Sequence, residues 1–251
     1  MSADSLLLPL AREGHGPPLF LIPAAGSAAF SLARLARALS PGSSVYSFVF
    51  AGMQNNVAPH GSVEEMAARY IAEVKTVQRT GPYYLGGYCF GGIPAFEMAA
   101  QLESKGEAVA VVIPIESFPP RHENPEQTGN HAEGPRNPPL STSQAGDPAA
   151  SVAERIEKQL LRIPAGLKEM YEELTLRHLR MEADYRARPI EAPIAQVRSR
   201  TYPRRSYQGW AGLTTGGYTE RVVPADTDSM LDPSNVGTLC SELRAIIDRF
   251  Q

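Results

Sequence analysis

No run of apolar residues in this chain approaches the roughly 20 that a membrane span needs. The opening segment, MSADSLLLPLAREG, contains Asp4 and only a short apolar run, so it does not read as a secretory leader. Charge of one sign is also scarce. Against 27 Asp and Glu stand 24 Lys and Arg, a formal net charge of −3, which offers neither a nucleic acid nor a membrane surface much to hold. There are two cysteines, Cys89 and Cys240, in very different settings. No disulfide is expected, and a reducing cytoplasm suits the chain. No phosphate-binding Gly-rich loop, zinc-ligand spacing or cofactor fingerprint occurs, so no cofactor and no metal are expected. Histidine is short too. His15, His60, His122, His131 and His178 are the full set, and none lies in the last strand–helix segment.

What is present is core material: 43% of the 251 residues are hydrophobic, enough for one large domain. Pro18 to Pro23, PLFLIP, is a short apolar run that reads as a buried strand. Phe30, Leu32, Leu35 and Leu39 give residues 28–40 helical spacing, and Ser44 to Phe50 reads as a strand by its aromatic and β-branched content. Ser62 and Glu65 form a capping box ahead of a long helix. YYLGGY returns as a strand, a helix runs from Gly91 to about Lys105, and AVAVVIPIE, Ala108 to Glu116, is a continuous apolar strand. Strands that are apolar throughout, alternating with helices, predict a parallel sheet covered on both faces. Residues 117–150, rich in Pro, Asn, Gly and Ser, read as a long loop. Two helical segments follow. The second carries Leu167, Met170, Tyr171, Leu174, His178, Met181 and Tyr185 as one stripe. AQVRSRTY and YTERVVPA resume the sheet. The final helix places Cys240 on its apolar face, as a small buried hydrophobe. The expected organisation is one domain over 1–251 with 117–190 inserted as loop and lid.

One short stretch carries the chemistry. In LGGYCFGGIPAF a strand runs into glycines, presents Cys89, and leaves as a helix. Gly87-Tyr88-Cys89-Phe90-Gly91 is G-x-C-x-G, the thiol form of the G-x-S-x-G nucleophile elbow. Small flanking residues are required because neighbouring backbones crowd so tight a turn, and the following helix N-terminus favours a thiolate. A glycine-rich turn with an incidental cysteine is the plain alternative.

Around this motif the chain resembles a known family. LLLPLAREGHGPPLFLIPAAGS, SVEEMAARYIAEVKTVQRTGPYYLGGYCFGG, FEMAAQLESKGEAVAVVIPIESFPP and the closing VVPADTDSMLDP are similar to the thioesterase domains that end polyketide and nonribosomal-peptide assembly lines. The resemblance implies an α/β-hydrolase fold: a mostly parallel central sheet, helices on both faces and an inserted helical lid. It further implies an acyl-enzyme intermediate and, as partner, an acyl or peptidyl carrier protein bearing the substrate on phosphopantetheine. Cysteine at the elbow is similar to a subset that includes freestanding Dieckmann cyclases, and a chain with its own Met1 fits a freestanding member. By position the family's acid falls on Glu116, where the family has aspartate; the plain reading of Glu116 is a strand-end charge. The oxyanion donors would be the backbone N–H groups of Phe90 and Ala24, with Ala25 adjacent to the latter.

The family's closing histidine has no counterpart. The ungapped match reads Ala225-Asp226-Thr227, so Thr227 stands at the base position. His15, His122 and His131 read as solvated loop residues and His60 as structural. His178, on the lid stripe, reads as a packed histidine or as a substitute base. A thiol makes the loss intelligible, because with a pKa of about 8.5 it is partly ionised at neutral pH whereas a serine needs its base. Release onto water suffers most, by about 10²–10⁴-fold; an amine, or a carbon acidified between two carbonyls, depends less on help. The pair of departures points to cyclisation through nitrogen or carbon. The alternatives are a degenerate module that binds carrier-tethered chains, a hydrolytic editing thioesterase, and a thiol engineered in place of serine. The last would not account for Glu116 and Thr227. Arg198, Arg200, Arg204 and Arg205, clustered with aromatics, read as a solvated loop or as a dock for an acidic carrier or its phosphate.

Overall fold

The computed structural model describes residues 4–53, 57–122, 165–202 and 208–251. Strand β1 (Leu7–Ala11) is followed by β2 (Gly16–Ile22), helix α1 (Ala33–Leu39), β3 (Ser43–Phe48), α2 (Val63–Val77), β4 (Tyr83–Tyr88), α3 (Gly92–Glu103) and β5 (Val109–Ile115). Then come β6 (Arg121–His122), α4 (Lys168–Asp184), β7 (Arg186–Ala187), β8 (Ile194–Ser199), β9 (Tyr218–Val223) and α5 (Val236–Arg249). Among the described residues the main sheet has seven strands, in the order β1-β3-β2-β4-β5-β8-β9. Only β1 runs antiparallel to its neighbour, with Leu7 opposite Phe48; the other five pairings are parallel.

The apolar strands are buried on both faces, as the alternation of their side chains shows. Phe20, Ile22, Leu85 and Val112 point into one core with residues of α2 and α3. Their neighbours Leu19, Leu21, Tyr84, Val111 and Ile113 point into the other, with Leu35 of α1 and Leu239 and Leu243 of α5. Two covered faces need apolar residues at every strand position, which is why β5 reads VAVVIPI. Ser62 caps α2 by accepting from the Glu65 N–H at 3.1 Å, and Glu65 accepts from the Gly61 N–H at 2.7 Å.

Three local expectations differ from what is observed. Residues 28–40 divide into a 3-10 turn, Ala29–Leu32, and a shorter α1; Phe30 is 70% exposed instead of joining the apolar face. The start of the expected loop is ordered as β6, which pairs with β7 in a separate two-stranded sheet. Leu167, at the head of the lid stripe, is exposed, and burial begins at Leu174. The rest of the expected loop and the first lid helix lie at 123–164, outside the described residues. Among the described residues no helix is long and apolar enough to cross a membrane.

Strand register sets up the site. Ile22 lies opposite Gly87, Tyr88 opposite Ile115, Ile115 opposite Val197, and Ser199 opposite Val223. The segments leaving β2, β4, β5, β8 and β9 therefore emerge side by side along one edge of the parallel sheet, where α/β folds place their ligands.

Candidate active site

Cys89 leaves β4 with φ of 53°, and Glu116 leaves β5 with φ of 50°. Among the described residues these are the two non-glycine positions with positive φ, a conformation that costs on the order of 1–3 kcal/mol each and clusters at functional sites. The glycines explain how the elbow closes. A Cβ on Gly87 would lie 2.0 Å from the Gly91 carbonyl carbon, and one on Gly91 2.2 Å from the Ile22 oxygen. Gly92 opens α3 against Ser117, whose Oγ would be 2.3 Å from an added Cβ. The turn thus pins the β2 exit, the Cys89 backbone and the β5 exit together. Cys89 is half-buried and not disulfide-bonded.

Glu116 is fully buried. Its N–H donates to the Val197 carbonyl at 2.9 Å, and the next residue, Ser117, accepts from the Trp210 indole N–H at 3.0 Å. These bonds hold the left-handed backbone in place. The carboxylate turns inward: Oε1 accepts the Ser199 N–H and Oε2 accepts the Ser199 hydroxyl at 3.2 Å. Ser199 Oγ in turn lies 3.0 Å from Thr227 Oγ1. Thr227 is held by its backbone as well, its N–H donating to Thr201 Oγ1 at 3.2 Å and its carbonyl accepting the Tyr88 hydroxyl at 3.3 Å. Tyr88 is the residue before Cys89, so the elbow and the Thr227 turn are tied directly. The strand-end charge reading of Glu116 does not fit a carboxylate buried at 0% exposure.

On the other side of the elbow, Ala24 and Phe90 are both buried. Ala24 begins a tight turn, its carbonyl accepting the Ser27 N–H at 2.9 Å, with Gly26 at φ of 63°. The Gly26 N–H donates to His178 Nδ1 at 3.3 Å, leaving Ala24 and Ala25 as the candidate donors at the turn's entry. His178 is buried on α4, stacked on Phe90 with ring centroids 4.8 Å apart and 4.2 Å from the Phe50 ring. Burial, then the neighbouring His60 and Arg177 charges, push its pKa down to about 3. An imidazole whose Nδ1 accepts a hydrogen bond carries its proton on Nε2. His178 is thus a neutral packed residue whose basic nitrogen is occupied, next to the site without being free to serve as its base in this arrangement.

His15 is exposed and His122 half-buried in β6, while His60 is buried, edge-on to Tyr70. His131, Arg204 and Arg205 lie outside the described residues. The other two clustered arginines are already paired. Arg198 is buried with Glu220 at 2.7 Å, and exposed Arg200 lies 3.6 Å from Asp226. Cys240 is buried on α5, its Sγ donating to the Ala38 carbonyl at 3.2 Å. Among the described residues no group of three or more His, Cys, Asp or Glu is arranged to hold a metal ion. Sequence reasoning missed Ser199, the residue that joins Glu116 to Thr227. Its only signal was its place at the end of a sheet strand.

The fold recurs among solved structures. The NocB thioesterase domain from the nocardicin cluster superposes with a TM-score of 0.74 at 20% identity, covering 98% of this chain and 100% of that one. The RedJ thioesterase of the prodiginine pathway in Streptomyces coelicolor gives 0.73 at 17% identity, covering 94% and 90%. Curated relatives are far longer. A probable non-canonical nonribosomal peptide synthetase, CymA, of Salinispora arenicola is 40% identical over 124 residues, 47% of this chain and 2% of that protein. A dimodular nonribosomal peptide synthase of Bacillus subtilis is 34% identical over 118 residues, 47% of this chain and 5% of that one. A family model described as Thioesterase domain matches residues 17–250; the chain belongs to the thioesterase domain family, on an α/β-hydrolase fold.

Proposed function

We propose that this chain takes a polyketide or peptide chain from a carrier-protein thioester onto Cys89 and releases it by closing a ring through nitrogen or carbon, not by hydrolysis. The observation that carries the reading is the hydroxyl pair of buried Ser199 and half-buried Thr227 attached to the buried Glu116, on the sheet edge that also carries the strained elbow of Cys89. Loading onto Cys89 exchanges one thioester for another, so the acyl group stays activated and the departing pantetheine thiol needs little acid assistance. Ala24 and Phe90 supply N–H donors for the tetrahedral oxyanion. Water would then need a base to lose its proton, and neither Thr227 nor the engaged His178 is an imidazole free to take it. The reading takes 1–251 as one domain with 117–190 inserted as loop and lid, of which 123–164 lie outside the described residues. The names of the synthetases it resembles support a carrier-tethered substrate.

Incubation with an acyl N-acetylcysteamine thioester, followed by intact-protein mass spectrometry, tests the reading. One acyl mass on the wild type and none on Cys89→Ala is the expected result. A wild type that binds the thioester and stays unmodified overturns it in favour of a binding module.

A further inference from the structure

Both oxygens of the buried Glu116 carboxylate accept from Ser199, one from its N–H and one from its hydroxyl. In its ionised form, the form a terminal proton acceptor needs, the carboxylate only accepts, and in that form the Ser199 hydroxyl donates its one hydrogen bond to Glu116. The Ser199 oxygen is then an acceptor toward Thr227 Oγ1, 3.0 Å away, and the Thr227 hydroxyl must donate to it. The chain has one direction: Thr227 O–H to Ser199 O–H to Glu116. The lone pairs of Thr227 Oγ1, on a half-buried residue whose carbonyl accepts from Tyr88, the residue before Cys89, are left for an entering donor. Ser199 is fully buried, and the Thr227 backbone is fixed from Thr201 and Tyr88, so the chain is assembled before any substrate arrives.

We propose that Ser199 is a positioning residue that relays a proton from Thr227 to Glu116 as the acyl chain leaves Cys89. The inference rests on the reading of Cys89 as the acyl acceptor. In the step, an N–H or C–H nucleophile attacks the thioester carbon, the new bond to carbon forms, and the carbon–sulfur bond breaks with its electron pair going to Cys89 Sγ. The nucleophile's proton passes to Thr227 Oγ1, the Thr227 proton to Ser199 Oγ, and the Ser199 proton to Glu116 Oε2. Glu116 ends protonated and Cys89 ends as thiolate; transfer of that proton back to sulfur restores the starting state. The relay ends on a carboxylate, a weaker base than an imidazole. It therefore serves a proton already acidified, on an amine made ammonium-like by attack or on a carbon between two carbonyls, while water, which must lose its proton as it attacks, still lacks its base.

The test uses the full chain loaded with octanoyl-N-acetylcysteamine thioester, and glycinamide as the acceptor amine. Intact mass follows both loading onto Cys89 and its discharge, so loading is the internal reference. Ser199→Ala and Thr227→Val each delete one link and keep the backbone, with thermal unfolding as the check on folding. In each variant the ratio of discharge to loading rate is expected to fall at least about tenfold, the lower end of lost proton-transfer assistance. The double variant is expected to be no slower than the slower single one, since members of one unit are non-additive. Discharge from the wild type should show a bowed dependence on deuterium content, which Ser199→Ala straightens. A purely structural Ser199 would lower the melting temperature without moving the isotope dependence. Equal discharge in all forms, or additive losses with the isotope dependence intact, overturns the relay. A wild type that never loads instead overturns the acyl-acceptor reading.

Discussion

His178 lies flat on Phe90, the planes 7° from parallel, while its Nδ1 accepts the Gly26 N–H across the site. One lid residue thereby touches both the residue after Cys89 and the turn carrying Ala24. The packing is close: a Cβ on Gly26 would lie 1.8 Å from Thr175 Oγ1 of α4. The seating of α4 on the two candidate oxyanion segments depends on His178 remaining neutral.

Acid should therefore loosen this contact. The native pKa of His178 is pushed from 6.5 down to about 3, chiefly by burial, and burial also lowers that of His60. Above pH 6.5 both states are neutral and stability from this source is complete. As pH falls from about 6.5 toward 3 the unfolded chain binds a proton that the native one does not. Stability should then decline by about 1.4 kcal/mol per pH unit for His178 alone. Urea unfolding of the wild type and His178→Phe across that range checks it: the variant should show the shallower acid slope, and identical slopes would contradict the assignment.

Gly91 cannot carry a side chain, because the atoms it would strike are the Ile22 and Pro23 carbonyl oxygens, 2.2 and 2.7 Å from an added Cβ. These are backbone atoms of the central strand β2 and its exit, with no rotamer to move away. Gly91→Ala should cost about 3 kcal/mol, the upper part of the overpacking range, and lose thioester loading. The open position Gly106, past the far end of α3, with nothing within 4 Å of an added Cβ but φ of 74°, should lose only backbone strain, about 1–2 kcal/mol, and keep loading. Urea midpoints of both variants with the mass assay separate the two causes.

The elbow was legible because G-x-C-x-G states a backbone constraint directly: each glycine marks a contact where the structure leaves no room. The parallel sheet was legible because β5 is apolar at every position and both its faces are covered. Glu116 and Thr227 came from their places in a family resemblance, and register brings them to one edge of the sheet. Ser199 was not legible. A serine at a strand end has no pattern of its own, and its meaning arises only because β8 lies between β5 and β9, threading its hydroxyl between two residues far apart in the chain. Phe30 misled for a related reason, since helical spacing cannot tell a 3-10 turn that faces solvent from the first turn of a buried helix.

Glu116→Gln should leave the fold intact and reverse the hydroxyl chain. Gln can keep its oxygen on the Ser199 N–H, but its amide then donates where Oε2 accepted, so the Ser199 proton turns toward Thr227. With the terminal proton acceptor gone, turnover should slow by more than about tenfold, with little change in the melting temperature. Steady-state rates and a thermal melt on the same preparation check this. Unchanged turnover would leave the buried carboxylate as a fold element alone.

Restoring an imidazole should convert the site to hydrolysis, but Thr227→His alone is not expected to do it. The Ser199 hydroxyl stands between Thr227 Oγ1 and Glu116 Oε2, at 3.0 and 3.2 Å, and fills the space a ring would need to reach the carboxylate. Thr227→His combined with Ser199→Gly clears that space, and Glu116→Asp draws the carboxylate back so that it can accept from the ring. Water attacking the Cys89 thioester would then have a general base, whose absence costs about 10²–10⁴-fold. The ratio of free acid to cyclic product, measured from one thioester substrate in the wild type and the triple variant, should rise by at least about tenfold within that range. The single Thr227→His variant should show a smaller rise, because its ring meets Ser199 before the carboxylate. If the wild type already yields mainly free acid, at a rate the triple variant does not exceed, then release does not wait for an internal nucleophile. His178, displaced from Gly26 by lid movement, would be the group to substitute next.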